Sequence, residues 1–224
     1  MNTFSNRHKN EREKNSICCL GLLYVMKFSS KYDRIAFLYN ILETPIEHFM
    51  FKSWRKKVIP EIHGNILEVG LGTGKNLAYY PDDAKVTGVD VSPNMLKIAK
   101  KDHDRDMTNF ATMAAEYLGF PDDTFDYVVS TFVLCVVANP EKASKEMKRV
   151  CKPDGCIINI EHMRSNSEFI AFLEDMFNPV SKALLDEHIN RNIPAIIEKS
   201  GLRIIEEQDL GLVDVFRLIR SVPR

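Results

Sequence analysis

Short apolar runs alternate with amphipathic segments along the chain after residue 30. Five runs rich in branched and aromatic side chains predict strands at 65–70, 85–91, 108–115, 125–133 and 155–162. Helical patterns lie between them at 75–80, 93–101 and 140–151. Strands that alternate with helices predict right-handed βαβ units and a parallel sheet.

The C-terminal part changes this pattern. Residues 168–200 are mostly helical, with interruptions predicted at Pro179 and Pro194. Two strand-like runs follow at 202–210 and 213–220 with only a short turn between them, so we expect them to pair antiparallel at one edge. The prediction is one α/β domain over 61–224, a doubly wound sheet of seven strands that is mostly parallel with one antiparallel edge strand.

Residues 27–60 have a different character and predict amphipathic helices. Ile35, Leu38, Tyr39 and Leu42 share one helical face, and Pro45 starts a second helix. Residues 1–60 carry eleven Lys and Arg against five Asp and Glu, although the whole chain has a net charge of -1. This basic region indicates either an anionic partner, such as a membrane surface, or an ordinary solvated helix face.

The first 26 residues fit no targeting segment well. A charged stretch precedes the ten-residue apolar run ICCLGLLYVM, which is too short to span a bilayer and has no small-residue cleavage site after it. We expect either a disordered extension or a stretch upstream of a natural start at Met26. The five cysteines show no metal-ligand spacing, which predicts no metal site, reduced thiols and a cytoplasmic location.

A glycine-rich turn follows the strand at 65–70. Gly70, Gly72 and Gly74 allow close approach of the backbone to a ligand, and Asp90 ends the next strand, where a carboxylate can bind both hydroxyls of a ribose. A dinucleotide fingerprint would place its third glycine at Lys75, and a phosphate-binding Walker loop needs a different spacing. The turn therefore predicts a nucleoside ligand without a pyrophosphate.

The pattern E-x-G-x-G-x-G that begins at Glu68 resembles motif I of class I S-adenosylmethionine-dependent methyltransferases. VTGVDVSPNMLKIAKK resembles their motif II, and MAAEYLGFPDDTFDYVVS and EMKRVCKPDGCIINIEH resemble later segments. The resemblance covers about residues 31–220. It implies a Rossmann-like fold, S-adenosylmethionine as cofactor and S-adenosylhomocysteine as product.

The resemblance also implies roles for individual residues. Ala114 stands where the family often has an Asp that binds the adenine amino group, so we expect that contact from Glu116 or from the backbone of Ala115. The expected cofactor-binding residues are Tyr32, Glu68, Gly70, Gly72, Thr73, Gly74, Asn76, Asp90, Val91, Met95, Ala114, Ala115, Glu116 and Thr131.

Two residues are candidates for a direct part in catalysis, although methyl transfer depends mainly on alignment and exclusion of water. Tyr32, with Asp33 and Ala36, resembles a Y-D-x-x-A pattern whose tyrosine covers the cofactor; otherwise it is an ordinary amphipathic-helix aromatic residue. His162 ends a strand and is either a general base, an acceptor-orienting group, or a histidine hydrogen-bonded at a strand end.

The residues after the strand at 125–133 bear on the methyl acceptor. TFVLCVV is apolar, which favours a lipophilic acceptor and argues against nucleic acid. Several segments resemble soluble bacterial phosphatidylethanolamine N-methyltransferases and others resemble alkyl thiol methyltransferases, while quinone methyltransferases share the general pattern. We expect a phospholipid amine as acceptor, with peripheral contact to the inner face of an anionic membrane; thiol S-methylation, quinone-precursor C-methylation and binding without catalysis are alternatives. The oligomeric state is left open.

Overall fold

The computed structural model describes residues 51–103, 108–185, 188–211 and 214–224, except the side chains of 183–185. The predicted 1–26 extension, Tyr32 and most of the amphipathic region 27–60 lie outside these residues.

Seven strands form one sheet. They are β1 (Asn65–Val69), β2 (Lys85–Asp90), β3 (Thr108–Thr112), β4 (Phe125–Thr131), β5 (Cys151–His162), β6 (Leu202–Asp209) and β7 (Phe216–Pro223). The helices are α1 (Lys52–Val58), α2 (Pro93–Asp102), α3 (Pro140–Val150), α4 (Glu168–Leu185) and α5 (Ile193–Lys199), with a 3-10 turn at Ile59–Glu61. This element order confirms the α/β prediction.

The strand order is β3-β2-β1-β4-β5-β7-β6. β1 to β5 pair in parallel, whereas β7 runs antiparallel to both β5 and β6. The predicted antiparallel pairing at one edge is confirmed, with β7 one place in from the edge strand β6. The order reverses between β1 and β4, so the carboxyl ends of these strands flank the crevice in which open α/β sheets bind ligands.

Helices cover both faces of the sheet, because alternate strand residues bury apolar side chains on opposite sides. Ile66 and Val129 belong to a cluster with residues of α1 and α2. Leu67 and Val128, their chain neighbours, belong to a second cluster with residues of α3 and α5. The sheet is therefore doubly wound, as predicted.

Three helices begin with a side-chain cap. Ser92, Asn139 and Asn192 each accept a hydrogen bond from a backbone N–H in the first turn, and a proline follows within two residues. These caps fix the start of α2 shortly after β2, and the start of α3 at the end of the loop that follows β4.

Two helix predictions were wrong. Residues 75–80 form successive turns instead of a helix, and Asn76, Leu77 and Tyr80 are buried within these turns. Pro179 does not interrupt the chain as expected: it lies inside α4, where it removes one backbone donor without ending the helix.

Candidate active site

A cavity opens at the carboxyl ends of β1, β2 and β4. It is lined by Arg55, Glu68, Gly70, Leu71, Gly72, Thr73, Lys75, Asn76, Asp90, Val91, Met95, Met113, Ala114, Ala115, Glu116, Thr131, Phe132, Val133, Val136, Val137 and Ala138. Twelve residues predicted from the sequence to bind the cofactor are among them. Parallel strands end at the same edge of a sheet, so motifs far apart in sequence meet here.

Asp90 holds the glycine turn in place. Its Oδ2 accepts the Gly72 N–H at 2.8 Å and its Oδ1 accepts the Ser92 N–H at 2.8 Å. A carboxylate oxygen has two lone pairs and can accept more than one hydrogen bond. The geometry fits a carboxylate that receives two neighbouring hydroxyls.

The three glycines of the turn have positive φ values but different surroundings. A Cβ on Gly70 would lie 2.3 Å from Cγ2 of Val133, whereas a Cβ on Gly72 would meet nothing within 4 Å. Gly72 thus leaves open space on the cavity side, where a ligand can approach the backbone. Gly74 is placed differently from the prediction: it is absent from the cavity lining, and a Cβ there would meet Leu77, Ala99 and His103.

Glu68 belongs to a buried polar network at the end of β1. The Asn76 side chain donates to Glu68 Oε1 at 2.8 Å and to Thr131 Oγ1 at 3.2 Å, and it accepts from Arg55 Nε at 2.6 Å. Burial raises the pKa of Glu68 to about 7, although the hydrogen bonds from Asn76 and Tyr80 and the Arg55 charge oppose this rise.

Sequence reasoning missed Arg55 as a site residue. The basic region that contains it was interpreted as a surface for an anionic partner or as a solvated helix face, yet the Arg55 side chain is buried and lines the cavity. Its guanidinium is suited to a carboxylate, and the methionine part of the cofactor carries one. The sequence offers one Arg among several Lys in the same helical turns, and this pattern does not indicate which side chain points into the protein.

The opposite wall of the cavity is formed by the predicted adenine-side residues Val91, Met95, Ala114 and Ala115. Glu116 also lines the cavity, and its Oε1 accepts the Asn139 N–H at 3.2 Å. Glu116 therefore joins this side of the cavity to the start of α3. Its proposed contact with the adenine amino group stays a prediction.

The loop of residues 132–138, called here the acceptor wall, completes the cavity. Phe132 leaves β4 with a positive φ of 58°, an uncommon conformation for a large side chain. Phe132, Val133, Val136 and Val137 present apolar side chains to the cavity. This side of the cavity is apolar, and a lipophilic acceptor stays a prediction.

The two candidate catalytic residues have different outcomes. Tyr32 lies outside the described residues. His162 is absent from the cavity lining, and its ring packs 5.2 Å from the ring of Phe216. Burial lowers its pKa to about 4, so the imidazole is neutral near pH 7, and its buried Nδ1 makes no hydrogen bond to a described residue. This placement gives His162 no direct contact with the cavity.

Comparisons with known proteins agree with this geometry. Residues 67–159 match the family model described as a methyltransferase domain. A phosphatidylethanolamine N-methyltransferase from Cereibacter sphaeroides is 31% identical, covering 70% of this chain and 79% of the relative. The thiol S-methyltransferase TMT1A from Homo sapiens is 30% identical, covering 84% and 80% respectively. The chain belongs to the class I S-adenosylmethionine-dependent methyltransferases.

A solved structure shares the fold of this methyltransferase. A SAM-dependent methyltransferase from Thermotoga maritima superposes with a TM-score of 0.67 at 20% identity, covering 86% of this chain and 98% of the other. Within the described residues, no His, Cys, Asp or Glu cluster is arranged to hold a metal ion. No described helix has the length and apolar character needed to cross a membrane.

The site residues fit S-adenosylmethionine, which supplies an electrophilic methyl group on a sulfonium when bound. Asp90 would hold the ribose, and the open space at Gly72 would admit it. Arg55 and Glu68 would face the charged methionine end. The acceptor wall would exclude water from the reacting atoms, which strengthens the electrostatic interactions inside the cavity.

Proposed function

We propose that this methyltransferase transfers the methyl group to a lipophilic acceptor in a membrane, namely the amine of a phosphatidylethanolamine-type head group. The single observation that carries this proposal is the apolar acceptor wall, formed by Phe132, Val133, Val136 and Val137. The relative named phosphatidylethanolamine N-methyltransferase supports it.

The chemistry of the acceptor wall favours an amine over a thiolate. The attacking amine must be neutral: its lone pair forms the N–C bond as the S–C bond breaks, and the product ammonium then releases a proton to water. Apolar surroundings lower the pKa of an amine and raise the pKa of a thiol. The wall therefore promotes the reactive form of an amine and opposes the reactive form of a thiol.

Helix α4 supports access to a membrane. Of the six large apolar side chains that the described residues leave exposed, five lie on α4, each between 52% and 71% exposed: Phe169, Phe172, Met176, Phe177 and Val180. Most of these positions recur at helical spacing on one face. The connection that follows α4 reaches the acceptor wall, because His188 N–H donates to the Cys135 carbonyl at 3.0 Å.

Polar contacts hold the other face of α4 against the protein. Glu174 accepts the Ser165 N–H at 2.9 Å, and Asn178 accepts the Ile189 N–H at 3.1 Å. These contacts keep the apolar face directed away from the body. Burial of each exposed side chain in hydrocarbon is worth about 1–2 kcal/mol, so we propose that α4 inserts into the bilayer interface.

An acceptor screen tests the function. Radiolabelled methyl transfer from S-adenosylmethionine is measured with dioleoylphosphatidylethanolamine in mixed micelles, dodecanethiol and a demethylmenaquinol, with the Asp90→Ala variant as a blank. Monomethylated phospholipid as the main product is the expected result. Methylation of the thiol alone would favour the second candidate, which the long alignment with the human thiol methyltransferase supports. Methylation of the quinol alone would contradict the proposal and indicate quinone-precursor C-methylation.

Vesicle flotation tests the membrane contact separately. We expect Phe172→Gln/Met176→Gln to reduce binding to phosphatidylcholine–phosphatidylethanolamine vesicles by at least about tenfold, because two apolar contacts with the bilayer are lost. Ile205→Thr is the matched control, since Ile205 is the sixth exposed apolar side chain and lies on β6. Equal flotation of all three proteins, with or without phosphatidylglycerol, would refute a role for α4.

A further inference from the structure

A buried carboxylate lies behind the acceptor wall. Glu161, near the end of β5, is fully buried and lines no part of the cavity. Its Oε1 accepts the N–H groups of Val133 at 3.0 Å and Leu134 at 2.9 Å, and its Oε2 accepts that of Cys135 at 3.3 Å. Three successive backbone amides thus converge on one side chain.

Such a concave run of amides is an anion-binding arrangement, here filled by a carboxylate of the chain itself. The Ser130 hydroxyl lies 3.4 Å from Oε1, and Glu161 makes no ion pair with any described residue. Backbone donors, not a cation, compensate its charge. Burial raises the pKa of Glu161 to about 7, while the three amides oppose that rise.

The amides that Glu161 binds belong to the acceptor wall, in which Val133 lines the cavity. The Val133 side chain packs so closely on Gly70 that a Cβ there would be 2.3 Å from it. The preceding Phe132 has its strained backbone fixed by a 2.8 Å hydrogen bond from its N–H to the Ile160 carbonyl. The end of β5 therefore determines where the acceptor wall lies relative to the glycine turn.

We propose that Glu161 is a positioning residue for methyl transfer: its carboxylate holds the acceptor wall in the bend that places Phe132 and Val133 beside the bound methyl donor. The consequence for acceptor turnover rests on the proposed function. The consequence for the position of the acceptor wall does not rest on the proposed function, and a separate spectroscopic measurement reports it.

The position of the wall has a spectroscopic reporter. The chain has a single tryptophan, Trp54. The Trp54 ring lies 4.9 Å from the ring of Phe51, which in turn lies 4.8 Å from the ring of Phe132. A displacement of Phe132 should therefore change the surroundings of Trp54.

The test compares Glu161→Gln and Glu161→Ala with Asp126→Asn. Asp126 is a suitable control, because its carboxylate also accepts a backbone N–H, that of Asn65 at 2.8 Å. This contact lies at the amino ends of β1 and β4, whereas the cavity lies at the carboxyl ends of the strands. Glutamine keeps the shape of Glu161 but turns one acceptor into a donor that faces an amide donor. Alanine removes all three hydrogen bonds.

We expect kcat/KM for dioleoylphosphatidylethanolamine to fall about tenfold in Glu161→Gln and about 100-fold in Glu161→Ala, as for other small misplacements of reacting groups. Calorimetric affinity for S-adenosylhomocysteine should stay within about threefold, and Trp54 emission should shift to the red with greater acrylamide quenching. Asp126→Asn should lower only the thermal midpoint.

Two results would overturn the proposal. One is unchanged kcat/KM and Trp54 emission in a folded Glu161 variant with a lower thermal midpoint, which would make the residue purely structural. The other is a loss of S-adenosylhomocysteine affinity equal to the loss of turnover. If the unmodified protein methylates another acceptor, the kinetics are measured with that acceptor. If it methylates none, the proposed function fails, and Trp54 emission alone decides the role of Glu161.

Discussion

Removal of the Asp90 carboxylate is the most direct perturbation of the cofactor site. Asp90 accepts two backbone N–H groups at 2.8 Å, from Gly72 and Ser92, and both contacts order the segments that surround the cavity. Asp90→Ala would remove these two bonds together with any bond to the ribose.

The magnitude follows from the bonds lost. A hydrogen bond to a charged acceptor contributes about 1.5–3 kcal/mol, and the lower figure applies because Asp90 is only partly buried. Two ribose hydroxyl bonds then account for about 3 kcal/mol of binding, which corresponds to roughly a 100-fold change in Kd. Asp90→Asn keeps the shape of the side chain but puts an amide donor opposite a backbone N–H. We therefore expect its affinity for S-adenosylhomocysteine to fall at least about tenfold.

Titration calorimetry with S-adenosylhomocysteine measures this effect without an acceptor. Asp83→Ala is the control, since Asp83 is an exposed carboxylate that pairs with His63 before β2. Binding of S-adenosylhomocysteine to folded Asp90→Ala within threefold of the unmodified protein would refute the assignment of Asp90 to the ribose.

The remaining predictions concern other positions in the cavity. Gly72→Ala should cost about 1–2 kcal/mol in urea denaturation, from its positive φ alone, whereas Gly70→Ala should cost more because Val133 must also move. Glu68 has a folded pKa of about 7, above its ordinary 4.5, so its roughly 3 kcal/mol contribution to stability is complete below pH 4.5 and is lost as the pH rises through 7. Between pH 5 and 8, the free energy of unfolding should therefore fall less in Glu68→Gln than in the unmodified protein. An identical pH dependence in the two proteins would contradict this. Arg55→Met should weaken S-adenosylhomocysteine binding about tenfold by calorimetry, and unchanged affinity would exclude Arg55 as a carboxylate ligand.

Much of the sheet and of the cofactor half of the site could be predicted from the sequence. Alternation and spacing located seven strands, and the parallel order placed Gly70, Asp90 and Thr131 at one edge. The prediction failed at 75–80, because Leu77 and Tyr80 have helical spacing that a series of turns reproduces equally well. Periodicity indicates which residues face inward. Over a stretch as short as six residues, a series of turns and a helix can bury residues at the same spacing.

Pairs that form through tertiary contacts were harder to predict. Arg55 and Asn76 are 21 residues apart, and Glu161 lies 26–28 residues beyond the amides it accepts. The motif IEH drew attention to His162, the more common catalytic residue type. Alternation along β5 directs these neighbours to opposite faces of the sheet, and the sequence does not indicate which face meets the acceptor wall.

The carboxylates at the strand ends have a common structural role, which is to accept hydrogen bonds from neighbouring N–H groups. Glu68, Asp90 and Glu161 end or nearly end β1, β2 and β5. Asp90 and Glu161 accept hydrogen bonds from backbone N–H groups of the loops that follow the strands, whereas Glu68 accepts one from the side-chain amide of Asn76. Loops at the carboxyl end of a parallel sheet leave backbone donors that strand pairing does not satisfy, and an anion at a strand end satisfies several of them at once.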